Sequence, residues 1–215
     1  MTGVGPTPAG PTDPMDVHSA LGVRRSCRAY REEPVPPDVL DRILDAARRA
    51  PSAGNTWALD LVVLEGPDET AGYWDTTLPA ERRGAFPWPG LLRAPVLVVV
   101  VTDPAAYVDR YAEADKARTG LGEGEAAWPV PYWWVDAGAA VMAVLLAATA
   151  EGLGSLLFGI FDHEAALAGH LGVPDGHRLV GTVALGWPDP SDARPSASAT
   201  RRRPALDRVV RRGRW

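Results

Sequence analysis

The stretch PVLVVVV, residues 95–101, is an unbroken apolar run in which every residue except Pro95 and Leu97 is valine. A continuous β-branched run without polar alternation is typical of a strand that is buried on both faces. The run is too short for a comfortable helix and falls well below the roughly 20 residues that cross a bilayer. It therefore predicts a strand in the middle of a sheet.

Segments on both sides of this run carry strand or helix patterns. Further apolar runs predict strands at 59–64, 155–160 and 180–185. Apolar residues at three-four spacing predict helices at 16–22, 38–50, 104–119, 137–151 and 163–171. The helix at 137–151 is apolar on nearly every face, so we expect it to be central. Residues 73–89 show no period and are expected to form loops or short helices.

Length and composition favour one folded domain. The chain has 215 residues, of which 46% are hydrophobic and 23% are charged, close to the averages for globular proteins. Proline and glycine crowd residues 1–14, so we expect a disordered leader there. A folded domain at 15–192 and an extended, arginine-rich segment at 193–215 complete the expected organisation.

Charge and cysteine content narrow the possible functions. The formal charge of −5 argues against a general binder of nucleic acid or acidic membranes, and neither partner is expected. The single cysteine, Cys27, excludes an intrachain disulfide, a four-cysteine zinc site and a CxxC redox pair. The four histidines lie at no metal-ligand spacing, so no metal is predicted. A reducing cytoplasm fits this composition.

An arginine cluster follows the first predicted helix. It contains Arg24, Arg25, Ser26 and Arg28. Guanidinium groups match phosphate oxygens in pairs, so the cluster is a candidate site for a phosphate monoester. A solvated basic turn is the alternative that the spacing leaves open.

Two stretches of small residues have the composition of ligand-binding loops. The loop PSAGN at 51–55 lets a flat ligand approach backbone groups, although an ordinary connector has the same composition. The stretch GLGS at 152–155 follows a helix and precedes a strand, the reverse of a dinucleotide fingerprint. The chain also lacks the GxxxxGK[ST] and GxSxG motifs, so neither a nucleoside triphosphatase nor an α/β-hydrolase has support.

Eight tryptophans are many for a chain of this length. Two groups of aromatic residues are candidates to line an aromatic substrate pocket: Tyr73, Trp74, Trp88, Trp128, Trp133 and Trp134. Packing in the core or at a dimer surface is an equal alternative.

Four motifs follow one another along the chain. They are RRSCRAY at 24–30, APSAGNT at 50–56, GLGS running into FGIFD at 152–162, and ALGWP at 184–188 with RRRP at 201–204 behind it. Their order and separation resemble the FMN-dependent nitroreductase family over about residues 16–210. Each motif is weak alone, and the four in this order are specific.

The resemblance implies an α+β, nitroreductase-like fold with a mixed central sheet surrounded by helices. It implies a homodimer, with residues 15–192 as the FMN-binding domain and residues 193–215 crossing to the partner subunit. The implied reaction is ping-pong hydride transfer from NADH or NADPH through N5 of FMN to a nitroaromatic, quinone or similar electron-poor acceptor. No catalytic side chain is implied, because the cofactor carries the chemistry.

Position by position, the resemblance assigns three groups of residues to FMN. The phosphate and ribityl chain would be held by Arg24, Arg25, Ser26 and Arg28, with Arg201 and Arg202 also reaching the phosphate. The same flavin would be contacted from the other subunit by Pro51, Ser52, Ala53 and Asn55. The ring would lie beside Leu157, Phe158 and Gly159.

The chain departs from the family pattern at Trp57, which stands where relatives often carry a glutamine that contacts the flavin. The implied acceptor pocket includes Trp57, Trp128, Trp133 and Trp134. Residues 111–134 match no family motif and are expected to shape that pocket.

Other functions remain open at this point. One is an FMN-dependent dehydrogenase that oxidises a biosynthetic intermediate and returns its electrons to oxygen. Another is a protein that binds or sequesters flavin without turnover. Nucleic-acid binding rests on the arginine-rich tail alone and is the weakest alternative.

Overall fold

A computed structural model describes residues 15–194, 196 and 200–215, so the leader expected at 1–14 lies outside the described residues. The strands in this part are β1 (Leu59–Glu65), β2 (Val96–Thr102), β3 (Gly154–Phe158) and β4 (Arg178–Gly186). The helices are α1 (Val17–Val23), α2 (Pro37–Arg48), α3 (Gly66–Thr77), α4 (Ala80–Arg83), α5 (Pro104–Ala112), α6 (Tyr132–Ala150), α7 (Glu164–Leu171) and α8 (Leu206–Val209).

The four strands form one sheet in the order β1-β2-β4-β3. Every ladder is antiparallel, because the helices between β1 and β2, and those between β3 and β4, return the chain to the end of the sheet that it has just left. In the described chain, parallel pairing is confined to an isolated bridge between Ser26 and Ser155. The α+β class is therefore as predicted, whereas the expected mixed character of the sheet is limited to that bridge.

The burial of β2 confirms the prediction made from its valine run. Every residue of β2 is at most 2% exposed. Val96, Val98 and Val100 face a cluster that contains side chains of α2 and α6. Leu97, Val99 and Val101 face a second cluster, which includes Tyr73 and Trp74 of α3 and Leu167 of α7. Successive residues of a strand point to opposite faces, so one short run supports both layers of helices.

Helix α6 is the only one in the described part that is long and apolar enough to span a membrane, with a mean hydropathy of 1.6 over its most apolar window. Its core position accounts for that composition, since Ala140, Val144 and Ala148 are buried in the cluster that α6 shares with α2 and the sheet. Its opposite face exposes Val135, Gly138 and Met142.

The chain between β2 and α6 differs from its prediction. The helix expected at 104–119 ends at Ala112, after which three 3₁₀ turns follow. The change of direction brings Asp115 back to Arg110, whose Nη1 and Nη2 lie 2.8 and 2.9 Å from the two carboxylate oxygens. Residues 73–89 contain the end of α3, the short helix α4 and a 3₁₀ turn, within the expected range of loops and short helices.

Shortening a valine tests how far the fold depends on β2. We expect Val99→Ala to lower the free energy of unfolding by about 2 kcal/mol, because it removes two methyl groups from a site with no exposed surface. The matched control is Val130→Ala, since Val130 is 48% exposed and should change stability by about 0.5 kcal/mol or less. Urea titration at one protein concentration measures both. Equal effects would contradict the central role of β2.

Candidate active site

The arginine cluster lies against the edge strand β3. Arg24 ends α1, and the extended chain after it places the Cys27 N–H 3.0 Å from the Ser155 carbonyl. The approach is close, because a Cβ on Gly154 would stand only 2.7 Å from the Cys27 sulfur. Glycine at this position lets the arginine-bearing segment lie directly beside the strand.

The positive charge of this cluster is not neutralised within the described chain. Arginines elsewhere, including Arg42, Arg48 and Arg93, form ion pairs with carboxylates. Arg24, Arg25 and Arg28 form none among the described residues. The Arg25 guanidinium donates instead to the Gly22 and Arg24 carbonyls, each at 2.8 Å. Guanidinium groups that are near one another in the sequence and lack carboxylate partners are suited to an anion with several oxygens.

A cavity of about 350 Å³ lies where β3 ends. Its polar rim carries Arg28, whose guanidinium lies 5.2 Å from the centre of the Trp88 ring. The other walls are mainly apolar and aromatic: Tyr73, Trp74, Leu78, Phe86, Leu91, Leu156, Leu157, Phe158, Gly159, Ile160 and Phe161. Trp74 and Phe158 stack, with centroids 5.9 Å apart and planes within 7°. The walls are suited to a flat aromatic ligand.

The outer edge of β3 is open to this cavity. Its one bridge on that side, among the described residues, is the contact of Ser155 with Ser26. Leu157 is 43% exposed, and Gly159 is exposed as well. The Ser155 hydroxyl is buried and has no hydrogen-bond partner in the described chain. Polar backbone on an unpaired edge remains available to a ligand.

The small-residue loop 51–56 lies elsewhere. It contains a 3₁₀ turn at Ala53–Asn55 and borders a separate cavity of about 220 Å³ that is also lined by Trp57 and Asp136. The Asp136 Oδ2 accepts hydrogen bonds from the Ala53 N–H at 2.7 Å and from the Tyr107 hydroxyl at 2.9 Å. Burial, with the Asp136 contact second, raises the pKa of Tyr107, so its hydroxyl keeps its proton.

One chain does not bring the two predicted halves of the site together. The loop leads into β1, whereas the arginine cluster flanks β3, and these strands form the two edges of the sheet. Three strand spacings of about 4.8 Å separate the edges by roughly 14 Å. The two cavities share no lining residue. Of the residues assigned to FMN, only Arg28, Leu157, Phe158 and Gly159 line the cavity at β3.

Arg201 and Arg202 lie in a segment that packs on nothing. Every residue from Thr200 to Trp215 is exposed, including Leu206 at 70% and Trp215 at 99%. The two arginines make no ion pair in the described part of the chain. Apolar side chains left exposed along a terminal segment are typical of a surface that another chain covers.

The four tryptophans that were predicted to line the acceptor pocket lie in different parts of the structure. Trp128 and Trp133 are 7% and 6% exposed and form an aromatic cluster with Tyr107, which corresponds to the core-packing alternative. Trp57 is 66% exposed beside the loop, and Trp134 is exposed on α6. None of the four lines the cavity at β3.

Three of the other aromatic residues proposed for a substrate pocket do line the cavity at β3: Tyr73, Trp74 and Trp88. Phe86 and Phe161 also line it, and sequence reasoning missed their role. The FGIFD motif contains Phe161 and was the available signal. In the described chain, no group of three or more metal-ligating side chains could hold a metal ion.

The fold is α+β, and the cavity at the end of β3 combines aromatic walls with the guanidinium of Arg28. A family model described as "Nitroreductase family" matches residues 21–187. The chain belongs to the nitroreductase family. This membership confirms the predicted family and enzyme class, an oxidoreductase.

Individual relatives and solved structures are consistent with membership of this family. A Thermus thermophilus protein named NADH dehydrogenase is 34% identical over 192 residues, covering 81% of this chain and 87% of that protein. The crystal structure of a nitroreductase family protein from Streptococcus pneumoniae matches with a TM-score of 0.69 at 20% identity, over 91% of this chain and 99% of that one. An FMN-dependent nitroreductase from Clostridium difficile matches with a TM-score of 0.63 at 20% identity, over 91% and 98%.

The packing of Cys27 generates a prediction about pH. Burial raises the pKa of the Cys27 thiol, and a backbone hydrogen bond at Ala29 and the charge of Arg28 offset this only in part. A raised pKa lowers the thiolate fraction at any given pH. We therefore expect iodoacetamide to alkylate the native protein more slowly than the urea-unfolded chain at pH 8. The pH midpoint of the native rate should also be higher, and a native midpoint below the unfolded one would contradict the prediction.

Proposed function

We propose that the protein is an FMN-dependent NAD(P)H oxidoreductase that acts as a homodimer. The observation that carries the proposal is the un-neutralised arginine cluster beside the open edge of β3 and its aromatic cavity. FMN carries a phosphate dianion at one end and a flat aromatic ring system at the other, joined by a ribityl chain. The cluster suits the first, and the cavity suits the second.

Within one subunit, Arg24, Arg25 and Ser26 would bind the phosphate and the ribityl chain. Arg28 connects the two features. It belongs to the arginine cluster, and its side chain also lines the cavity at β3. The open edge at Leu157–Gly159 offers backbone hydrogen-bonding groups to the rim of the ring, and the aromatic walls exclude water from its face.

A second subunit would complete the site. Pro51, Ser52, Ala53 and Asn55 would contact the flavin held by the other chain, because they lie at the opposite edge of their own sheet. Two surfaces support a dimer: the apolar face of α6 at Val135 and Met142, and the exposed segment from Thr200 to Trp215. That segment would cross to the partner and bring Arg201 and Arg202 to a phosphate.

FMN, when bound, would supply the hydride chemistry, with NADH or NADPH as the donor. The side chains of this protein bind, orient and exclude water. We propose nitroaromatics, quinones and similar electron-poor compounds as acceptors, because the aromatic walls of the cavity suit stacking of flat rings. The single cysteine and the absence of any predicted disulfide support a reducing compartment, such as the cytoplasm.

The visible absorption spectrum of the purified protein tests the proposal. We expect the two bands of oxidised flavin, loss of colour on anaerobic addition of NADPH or NADH, and return of colour with a quinone or nitroaromatic. Flavin that resists both donors would favour the dehydrogenase or sequestering interpretation. Protein that stays colourless and takes up no FMN would refute the proposed function.

Substitution of Arg24 tests the phosphate assignment. We expect Arg24→Ala to raise the Kd for FMN about tenfold or more, because a charge-assisted hydrogen bond to phosphate is lost. Riboflavin, which lacks the phosphate, should bind wild type and variant alike. Arg42→Gln is the control, since Arg42 pairs with Asp38 and Glu151 on the outer side of α2. Equal weakening of FMN and riboflavin would place Arg24 away from the phosphate.

A further inference from the structure

The loop 51–56 is held in a conformation that its backbone does not favour. Gly54 has φ of 65° and Asn55 has φ of 55°, so two consecutive residues adopt the left-handed region. Glycine tolerates this region, whereas a side-chain-bearing residue there is uncommon and needs support from its surroundings. Position 54 also requires glycine for space, because a Cβ would approach the Tyr111 ring within 2.8 Å.

Two charged side chains of opposite sign supply that support. The Asp136 carboxylate, on α6, accepts the Ala53 N–H at 2.7 Å. The Arg110 Nε, on α5, donates to the Gly54 carbonyl at 2.9 Å. The Asp136 carboxylate thus accepts from the N–H of one residue of the turn, and the Arg110 guanidinium donates to the carbonyl of the next residue. Hydrogen bonds to charged groups are stronger than those between neutral groups.

Each of the two side chains is itself held in place. Asp136 also accepts the Tyr107 hydroxyl at 2.9 Å, and the raised pKa of Tyr107 keeps that donor protonated. Arg110 forms a bidentate ion pair with Asp115 at 2.8 and 2.9 Å. Asp115 belongs to the segment at 111–134 that matches no family motif, so this segment reaches the loop through Arg110.

We propose that Asp136 and Arg110 are positioning residues that fix loop 51–56 in the shape it presents to the flavin of the partner subunit. The inference rests on the proposed function, in which this loop contacts FMN across the dimer. Neither side chain belongs to the residues assigned to the flavin, and both act through the backbone of Ala53 and Gly54. A loop that is already ordered binds more tightly, because little conformational freedom is lost on binding.

Four variants separate positioning from general stability. Asp136→Ala removes the acceptor of the Ala53 N–H, whereas Asp136→Asn keeps an oxygen that accepts it. Arg110→Gln removes the bidentate ion pair and the reach to Gly54. Arg42→Gln is the matched control, because Arg42 also binds two carboxylates, at 2.8 to 3.0 Å, and does not touch the loop.

The measurements are the Kd for FMN by titration of the flavin-free protein, the absorption spectrum of the bound flavin, and the thermal midpoint of the flavin-free protein. We expect Asp136→Ala and Arg110→Gln to raise the Kd about tenfold or more and to shift the flavin bands. Asp136→Asn should stay within about threefold of wild type, and Arg42→Gln should match it. If Asp136→Ala fails to fold, the Kd values of Arg110→Gln and Asp136→Asn for FMN are compared instead. A raised Kd in Arg110→Gln alone supports the inference, and a wild-type Kd in Arg110→Gln overturns it.

Wild-type affinity and spectrum in Asp136→Ala and Arg110→Gln would overturn the inference and leave the proposed function standing. An equal loss in Arg42→Gln would also overturn it, because the effect would then be general destabilisation. A loss in Asp136→Asn as large as in Asp136→Ala would overturn it as well, because retaining the acceptor of the Ala53 N–H would then not preserve the loop. Wild-type protein that binds no FMN removes the proposed function and this inference together.

Discussion

The complete burial of β2 is the constraint on which the rest of the molecule depends. Its side chains alternate between two hydrophobic clusters, three residues to each, so both layers of helices pack on the same strand. Both faces of the sheet are therefore occupied, and no ligand can approach its centre. Polar and ligand-facing groups are displaced to the edges: the arginine cluster to β3, and the loop 51–56 to the start of β1.

This placement explains why one chain would carry only separate halves of the proposed site. Moving either half inward would require the buried strands to part, at the cost of their apolar contacts. In the proposed homodimer, a second copy would bring the missing half from outside without disturbing the core. The exposed apolar face of α6 and the uncovered terminal segment have the same explanation, since both are surfaces that an isolated chain leaves in water.

Sequence reasoning succeeded where one local signal determined the outcome. The valine run predicted the central strand, and the four motifs in their order predicted the family. Sequence reasoning did not predict features that depend on contacts between residues far apart in the chain. Nothing local distinguishes Trp128, in a packed cluster, from Trp88, at a cavity. The contact between Ala53 and Asp136 joins residues 83 positions apart, and no periodicity reports it.

The charges beside β3 have a second consequence. An edge strand with free backbone groups is a template onto which another strand can add, and uncontrolled addition leads to aggregates. Here the approach to that edge passes Arg24, Arg25 and Arg28, none of which is neutralised by a carboxylate of the described chain. Two copies that met at this edge would repel each other, so the charge proposed to bind a phosphate would also disfavour strand addition there.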